Sequence, residues 1–377
     1  GGRGYYALDV TNPAAPKALW EFTDTNLGYT YGNPIITKLR DGTWVVMFTS
    51  GYNNVSPGDG VGRLYIVNAN TGALIRSIST GVGSTTTPSG LSKISAWVDA
   101  FNTDNTTLRV YGGDLLGNLW RFDVDDRYGA AGYDAQRLVT FYANSLGTVT
   151  QSVTAKPELG EVSGSAVILV GTGRFLGASD LSDTTQQTFY AVKDKLDSTS
   201  LANPKSVGSG FIQQQMSETT CPAGTPTSVC TSGQTVRVAI NEKAVDFTTD
   251  NGWYLDLISS GERANVDPVL ALGTLGFNTN IPNTSACTAG GTSFRYFLDY
   301  TKGTPVSTAR ASGTGTGVIG VSFGNALATR GVFVRLPNNT VVQLTRLSTG
   351  ATVTSNVPIG SGASGTKRVS WRELISE

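Results

Sequence analysis

Residues 33–50, NPIITKLRDGTWVVMFTS, and residues 63–78, RLYIVNANTGALIRSI, hold four short β-rich runs in a fixed order. The first run follows a proline, the second ends in small residues, the third carries an aromatic residue and a closing amide, and the fourth is short and partly polar. Asn70-Thr71-Gly72 joins the last two runs, because glycine readily adopts the positive φ of a tight hairpin. Four antiparallel strands in the order buried, buried, half-buried and edge predict one blade of a β-propeller.

The same order of runs recurs along the chain. Further copies follow Pro157 and Pro268, with second runs such as residues 166–173 and third runs at residues 188–192 and 294–299. A single blade cannot bury both of its faces, so neighbouring blades must stack. The predicted fold class is therefore all-β, a modified β-propeller of four-stranded antiparallel blades, and the repeated order disfavours a β-sandwich. We predict one propeller-like domain over residues 1–377, with a long insertion at about 200–235.

The composition limits the classes of function. The 377 residues include 28 Lys and Arg, 28 Asp and Glu, and no His, and charged residues make up only 15% of the chain. Low charge with abundant Gly is typical of exported β-proteins. No basic block indicates a nucleic-acid surface, and no run of about 18 apolar residues predicts a transmembrane helix. Because the chain starts inside a strand pattern, we expect it to be a piece of a longer precursor with its export signal upstream.

The three cysteines indicate a compartment. Cys221 and Cys230 lie nine residues apart in a polar loop and are well placed for a local disulfide. Two buried free thiols are the alternative, and a zinc site is disfavoured because histidine and CxxC pairs are missing. Cys287 remains as a free thiol or as the partner of a cysteine elsewhere. A disulfide predicts the periplasm or the cell exterior.

Several stretches go beyond the general pattern of a blade. The most specific is YGGDLLGNLWRFD at residues 111–123; the others are GYYALDVT at 4–11, GTGRFL at 171–176, QTFY at 187–190, GWYLDL at 252–257, GER at 261–263 and RVSWREL at 368–374. Taken in order, they resemble the C-terminal propeller-like domain of the PilC/PilY family, large proteins associated with the tips of bacterial type IV pili. Members of this family have strands upstream of the residue 4–11 run. Either this chain is therefore an incomplete propeller, lacking its first blade strands, or its ring closes with fewer strands.

The resemblance implies a function in the type IV pilus. It implies pilus biogenesis against retraction, twitching motility, adhesion and virulence. Its implied partners are the minor pilins and the pilus tip, with a host or abiotic surface as a further ligand. It also implies that the protein is exported and lies at the pilus tip, the cell surface or the outer membrane.

The family resemblance also suggests where a metal would bind. Relatives often carry a calcium loop of alternating acids and amides just before the strand that here begins near Arg109. Asp99, Asn102 and Asp104 are the candidate ligands in this chain. Asp99 lies one residue too far out, no glycine follows Asp104, and Leu108 replaces a closing Asp. We favour a turn held by side-chain hydrogen bonds over a calcium site, and under that interpretation no cofactor is required.

Other polar residues have structural interpretations. We interpret Asp114 as bonding the backbone of its adjoining turn, and Trp120 with Arg121 as inter-blade packing in which the arginine stem covers the indole. Asp123, Asp125 and Asp126 are assigned to an exposed hairpin end.

Catalysis has little support in the sequence. Without histidine, neither a Ser-His-Asp nor a Cys-His arrangement can form, and no carboxylate pair is marked as in glycosidases. We predict that the chain is not an enzyme. The alternative is an extracytoplasmic propeller enzyme, either a glycan hydrolase or a quinone-dependent oxidoreductase, although the adjacent cysteine pair that often accompanies quinone sites is missing.

Overall fold

A computed structural model describes residues 2–99, 103–124, 132–283 and 290–360. Over these ranges the chain is almost entirely β, with two short 3-10 helices at Ala178–Ser182 and Ser307–Ala309. No helix within them is long and apolar enough to cross a bilayer. The chain divides into two compact units. The first runs to Phe141 and includes Leu196–Leu201, and the second contains Tyr142–Lys195 and continues from Ala202.

The first unit contains three antiparallel sheets. Their strands are β1 (Tyr5–Asp9), β2 (Lys17–Phe22), β3 (Ile35–Lys38), β4 (Trp44–Thr49), β5 (Arg63–Asn68), β6 (Leu74–Ser79), β7 (Ile94–Trp97), β8 (Arg109–Gly113), β9 (Asn118–Asp123) and β10 (Ala135–Thr140). Strands β1 and β2 form a pair, whereas β3–β6 and β7–β10 each form a four-stranded meander. Gly72 closes the β5–β6 hairpin with φ 70°, as predicted from its turn.

Stacking of these sheets explains why the β3–β6 sheet can be apolar on both faces. Val45 and Met47 of β4 join a core with residues of β7–β10, including Val110 and Trp120. The alternate residues of β4 pack instead with β1 and β2, as a cluster of Val46, Phe48, Tyr65, Val67, Phe22, Leu27, Tyr5 and Trp20. Each fully buried aliphatic or aromatic side chain contributes roughly 1.5–3 kcal/mol. The propeller-type stacking predicted from the sequence is present. Strand β3 was expected to be buried and is only partly so, whereas β5 was expected to be half-buried and its four central residues are buried.

The second unit is built on one large sheet with a smaller one beside it. Its strands are β11 (Glu158–Val162), β12 (Ser165–Gly171), β13 (Thr188–Asp194), β14 (Phe211–Thr220), β15 (Thr235–Ile240), β16 (Gly252–Asp256), β17 (Val269–Ala271), β18 (Thr274–Pro282), β19 (Gly291–Asp299), β20 (Thr304–Pro305), β21 (Val318–Gly324), β22 (Val332–Arg335), β23 (Val341–Arg346) and β24 (Thr352–Asn356). The order in the large sheet is β11-β12-β13-β16-β14-β15-β21-β19-β18-β17, with β20 paired to β19. Strands β22–β24 form the small sheet.

The large sheet curls until its two end strands approach each other. The backbone N–H of Lys156, just before β11, donates to Asp267 Oδ1 at 2.9 Å, just before β17. The Tyr300 hydroxyl donates to the carbonyl oxygen of Glu161 at 2.6 Å. Large side chains fill the interior, with Phe277 stacked between Phe189 and Tyr296 at ring centroid distances of 4.1 and 4.7 Å. This nearly closed sheet gives the unit one continuous core.

The segment predicted as an insertion contains strand β14 and the connection to β15, and these two strands pair as a β-hairpin. Strands β14 and β15 lie in chain order between β13 and β16, which pair with each other. Strand β14 runs parallel to β16 and antiparallel to β15, so the hairpin extends the sheet instead of forming a loop on its surface. A disulfide joins Cys221 to Cys230 in the β14–β15 connection, the pairing expected from their spacing. Cys287 lies outside the described residues.

Candidate functional site

The candidate calcium loop is tied to its own protein surroundings. Asp99 follows β7, and its Oδ1 accepts a hydrogen bond from Trp97 Nε1 at 2.7 Å. Asp104 Oδ1 lies 2.9 Å from Lys38 Nζ and accepts from Thr106 Oγ1 at 2.8 Å. The hydrogen bonds from Lys38 and Thr106 lower the pKa of Asp104. Asn102 lies outside the described residues.

This loop also joins two sheets of the first unit. The carbonyl oxygen of Asn105 accepts from Thr37 Oγ1 at 2.6 Å and from the Lys38 N–H at 3.1 Å. The Thr107 N–H donates to the Lys38 carbonyl oxygen at 2.9 Å. The segment therefore runs along β3 and fixes it beside β8.

Both described ligand candidates already have partners within the protein. Calcium takes six to eight oxygens, but the Lys38 ammonium already neutralises Asp104, and a dication would have to displace it. Within the ranges that the structure describes, no group of three or more His, Cys, Asp or Glu side chains is placed to hold a metal.

Asp114 is a fully buried acceptor of hydrogen bonds. Its Oδ1 accepts from the backbone N–H groups of Leu116 and Asn118 at 3.0 and 2.8 Å. Its Oδ2 accepts from Trp120 Nε1 at 2.9 Å, Asn118 Nδ2 at 3.0 Å and Ser89 Oγ at 3.3 Å. Burial raises the pKa of Asp114, and the bonds from Trp120 and Asn118 oppose that effect. The structural role expected for Asp114 is confirmed, since it holds the β8–β9 turn together.

The inter-blade packing expected of Trp120 is confirmed, since it shares a core with β4 and β5, but two other expectations for this motif are wrong. Neighbouring residues on a strand point to opposite faces, so Arg121 does not cover the Trp120 indole. Trp120 lies in the core, whereas Arg121 Nη2 donates to the carbonyl oxygen of Asp197 at 2.8 Å. Asp123 is only 1% exposed, at the end of β9 and not on an exposed hairpin. Asp125 and Asp126 lie outside the described residues.

In the second unit, motifs far apart in the chain come together. Arg263 Nη1 donates to the carbonyl oxygens of Arg174 and Asp180 at 2.8 and 2.7 Å, and its Nη2 donates to that of Asp183 at 3.0 Å. The Ala264 N–H donates to the carbonyl oxygen of Thr172 at 2.9 Å. The GER motif therefore fixes the loop that follows the GTGRFL motif.

Glu262 is the carboxylate of a buried polar cluster. Its Oε1 accepts from Tyr296 Oη and Thr279 Oγ1, both at 2.7 Å. Its Oε2 lies 3.4 Å from Nη2 of Arg237, whose Nη1 donates to Glu218 Oε2 at 2.6 Å. Burial and the nearby Glu262 charge raise the pKa of Tyr296. Because Glu262 is 0% and Arg237 1% exposed, a substrate in solution cannot reach this cluster, and its role is to support the core.

The second unit also has an open cleft of about 670 Å³. Three loops supply most of its lining: residues 242–245 after β15, the β17–β18 turn at Leu272-Gly273, and residues 299–307 around β20. Arg310 and Gly360 complete it. Its basic side chains are Lys243, Lys302 and Arg310, and its acidic ones are Glu242 and Asp299. This volume falls within the range of pockets that bind ligands.

A buried amide fixes two of these loops. Gln214, 3% exposed, donates from Nε2 to the carbonyl oxygens of Lys243 and Lys302, both at 2.8 Å. Its Oε1 accepts from the Lys243 N–H at 3.1 Å. One side chain therefore fixes the backbone at both Lys243 and Lys302. Nothing in the sequence indicated this cleft, because its walls come from segments as far apart in the chain as Glu242 and Gly360.

The stacked sheets and the structural roles of the marked motifs define a propeller-type repeat protein with an open cleft in its second unit. The chain belongs to the PilY1 beta-propeller domain family, whose model matches residues 1–223. The family resemblance and the propeller fold predicted from the sequence are therefore confirmed.

Named relatives extend this comparison. A type IV pilus biogenesis factor PilY1 homolog of Xylella fastidiosa is 31% identical over 80% of this chain and 21% of its own length. A type IV pilus biogenesis factor PilY1 of Pseudomonas aeruginosa is 30% identical over 80% of this chain and 28% of its own. The chain thus spans less than a third of these relatives. The crystal structure of the Pseudomonas aeruginosa PilY1 C-terminal domain matches 95% of this chain and 78% of its own with a TM-score of 0.71 at 24% identity, which shows a shared fold.

Proposed function

We propose that this chain is the propeller part of a type IV pilus biogenesis factor that acts at the bacterial surface. The observation that carries the proposal is the match of residues 1–223 to the PilY1 beta-propeller domain. Two relatives bear the name type IV pilus biogenesis factor. The Cys221–Cys230 disulfide supports a location outside the cytoplasm, because disulfides persist in oxidising compartments.

We propose further that the domain works by binding. Minor pilins and the pilus tip are its partners, and these contacts support pilus assembly against retraction, twitching and attachment to host or abiotic surfaces. The buried Glu262–Arg237–Tyr296 cluster supports a non-catalytic role, since its charged atoms are closed to substrate. A lack of turnover on a glycan panel and of quinone absorbance in the purified protein would agree with this role, whereas either activity would contradict it.

Deletion of the gene tests the proposed function. We expect a strain without the gene to lose surface pili, measured by shearing and electron microscopy, and to lose twitching on agar. Re-expression of the full-length gene should restore both. A tagged full-length protein should also retain the minor pilins of the same organism in a pull-down. Normal piliation and twitching in the deletion strain would refute the proposal.

A further inference from the structure

We propose that the guanidinium of Arg295, beside the β14–β15 connection of the second unit, binds one small monovalent anion, either chloride or a carboxylate. This site goes beyond the pilus function, and it shares no residue with the lining of the cleft. Three properties of Arg295 support it: the side chain is buried, its charge has no counter-ion, and most of its N–H donors are unused.

Arg295 lies in the middle of β19, on the face of the large sheet that is turned away from the core. Its neighbours in the strand, Phe294 and Tyr296, belong to that core, and successive side chains of a strand point to opposite faces. Its cross-strand partners are Asn278 of β18 and Val321 of β21. Such partners share a face of the sheet, so Arg295 stands between an amide and an aliphatic side chain.

The β14–β15 connection and strand β21 cover the Arg295 side chain. Val321 packs in an apolar cluster with Val229 and Cys230 of the connection. The carbonyl oxygen of Val229 accepts a hydrogen bond from Arg295 Nη2 at 3.0 Å. The centroid of the Phe323 ring lies 5.8 Å from Arg295 Cζ. As a result, Arg295 is only 8% exposed to water.

The charge of Arg295 has no counter-ion among the residues that the structure describes. No carboxylate oxygen there lies within 4.0 Å of its guanidinium nitrogens. Burial lowers the pKa of Arg295 only to about 10, so the side chain stays protonated at neutral pH. By contrast, the buried Arg237 lies within ion-pair distance of both Glu218 and Glu262. A buried charge without a partner is strongly unfavourable, and an anion from solution supplies the missing charge.

Most of the N–H donors of Arg295 are also unused. A guanidinium has five of them, and within the described ranges the Val229 carbonyl is their hydrogen-bond acceptor. Arg295 Nε is buried and has no partner. The amide of the neighbouring Asn278 is engaged elsewhere, since its Oδ1 accepts from Gln343 Nε2 at 3.0 Å. A buried donor without a partner indicates a bound water or ion, and the unmatched charge favours the ion.

Charge and access limit the class of anion. Arg295 supplies one positive charge, so a phosphate or sulfate dianion would leave a negative charge buried without a partner. A bulky ligand cannot surround a side chain that is only 8% exposed. Chloride and a small carboxylate such as formate carry the single charge and accept several N–H donors at once.

Thermal unfolding in different sodium salts tests the site on the full chain. NaCl or sodium formate replaces sodium gluconate, whose anion is bulkier, at constant ionic strength, so that screening does not change. We expect a Kd on the order of 10 mM, since one cation provides the attraction. About 200 mM of the anion should then favour the folded state about twentyfold and raise Tm by roughly 2–5 °C.

The two salts distinguish the sources of the anion. A larger rise of Tm in formate would assign the site to a carboxylate, and a larger rise in chloride would assign it to a halide. Equal Tm values in all three salts would show that water fills the site, and this result would overturn the proposal.

Arg295→Met shows whether the effect depends on this guanidinium. The variant keeps a long side chain and removes a buried charge, a change that proteins often tolerate. We expect it to abolish the difference in Tm between chloride or formate and gluconate. Arg335→Met, on an exposed position of β22, is the matched control and should keep that difference. An unchanged anion effect in Arg295→Met would overturn the proposal.

The NMR linewidth of chloride tests the site without any variant. We expect the unaltered protein to broaden the chloride signal, because bound chloride tumbles with the protein, and formate to reverse the broadening by competition. Broadening that formate does not reverse, or no broadening together with no rise of Tm in formate, would also overturn the proposal.

Discussion

Asp114→Asn tests how far one buried carboxylate stabilises the first unit. Asp114 accepts hydrogen bonds from five donor groups, of which the Trp120 indole and the backbone N–H groups of Leu116 and Asn118 can only donate. An asparagine has one acceptor oxygen. Whichever way its amide turns, its NH2 group faces at least one of these obligate donors. The substitution therefore leaves one or two buried donors without a partner.

The magnitude follows from these contacts. A hydrogen bond to a charged group contributes roughly 1.5–3 kcal/mol, and a buried unsatisfied donor costs about 1–3 kcal/mol. Burial of the Asp114 carboxylate is itself unfavourable, as its raised pKa indicates. Asparagine removes this buried charge, which offsets part of the loss. We expect a net destabilisation of about 3 kcal/mol, a large share of the roughly 5–15 kcal/mol by which domains are stable.

Chemical denaturation followed by tryptophan fluorescence measures this loss. One m-value, the slope of the unfolding free energy against denaturant concentration, is fitted to all variants. The matched control is Asp41→Asn, the same change at an exposed turn where the carboxylate accepts from the Thr43 N–H. We expect it to alter stability by less than about 0.5 kcal/mol.

A double-mutant cycle with Trp120→Phe isolates the indole bond. We expect a coupling energy of about 1–2 kcal/mol between the two sites. Our account of Asp114 would be refuted if Asp114→Asn destabilised the protein no more than Asp41→Asn.

Three further predictions concern the disulfide, the loop before β8 and a surface ion pair. Cys221→Ser with Cys230→Ser should lower the free energy of unfolding by about 2–3 kcal/mol, the loop-closure value for a short loop; a loss below 1 kcal/mol in urea titrations would contradict it. Chelator treatment should leave Tm unchanged, and calorimetry with CaCl2 should show no tight site, because Lys38 already neutralises Asp104. Sub-micromolar binding that Asp104→Ala abolishes would show that the loop binds calcium. Hydrogen bonds from Arg63 lower the pKa of Asp59 to about 2, so this pair stabilises the protein above pH 4 and loses its effect as the pH falls through 2. Asp59→Asn should therefore cost under about 1 kcal/mol at pH 7, as expected for an exposed pair, and almost nothing at about pH 1, below the folded-state pKa; an equal cost at both pH values would exclude this pair as the source.

Much of the local structure could be predicted because it depends on neighbours in the chain. Alternating apolar residues and a preceding proline predicted β3 and β4, and the turn residues predicted the positive φ of Gly72. The role of Asp114 was also predictable, since four of its five donor groups lie within six residues of it. The family was recognisable for the same reason, because short strings such as residues 111–123 are properties of the sequence itself.

Strand pairing and the burial of single residues could not be predicted, because they depend on contacts between distant segments. The sequence showed a break in the blade pattern at the predicted insertion. It did not show that β14 pairs with β16, because parallel strands are not joined by a tight turn that the sequence would mark. Asp123 looked like a surface acid, and only the packing of β9 buried it.

The sequence by itself determined the strands, their turns and the family, since these depend on side-chain alternation and backbone preference over a few residues. Tertiary structure alone decided the sites. It buried Glu262 beside Arg237 and Tyr296, placed Lys38 against Asp104, and formed the cleft from three loops. The physical reason is that burial and charge pairing depend on which surfaces meet, and that is determined by the packing of the whole chain.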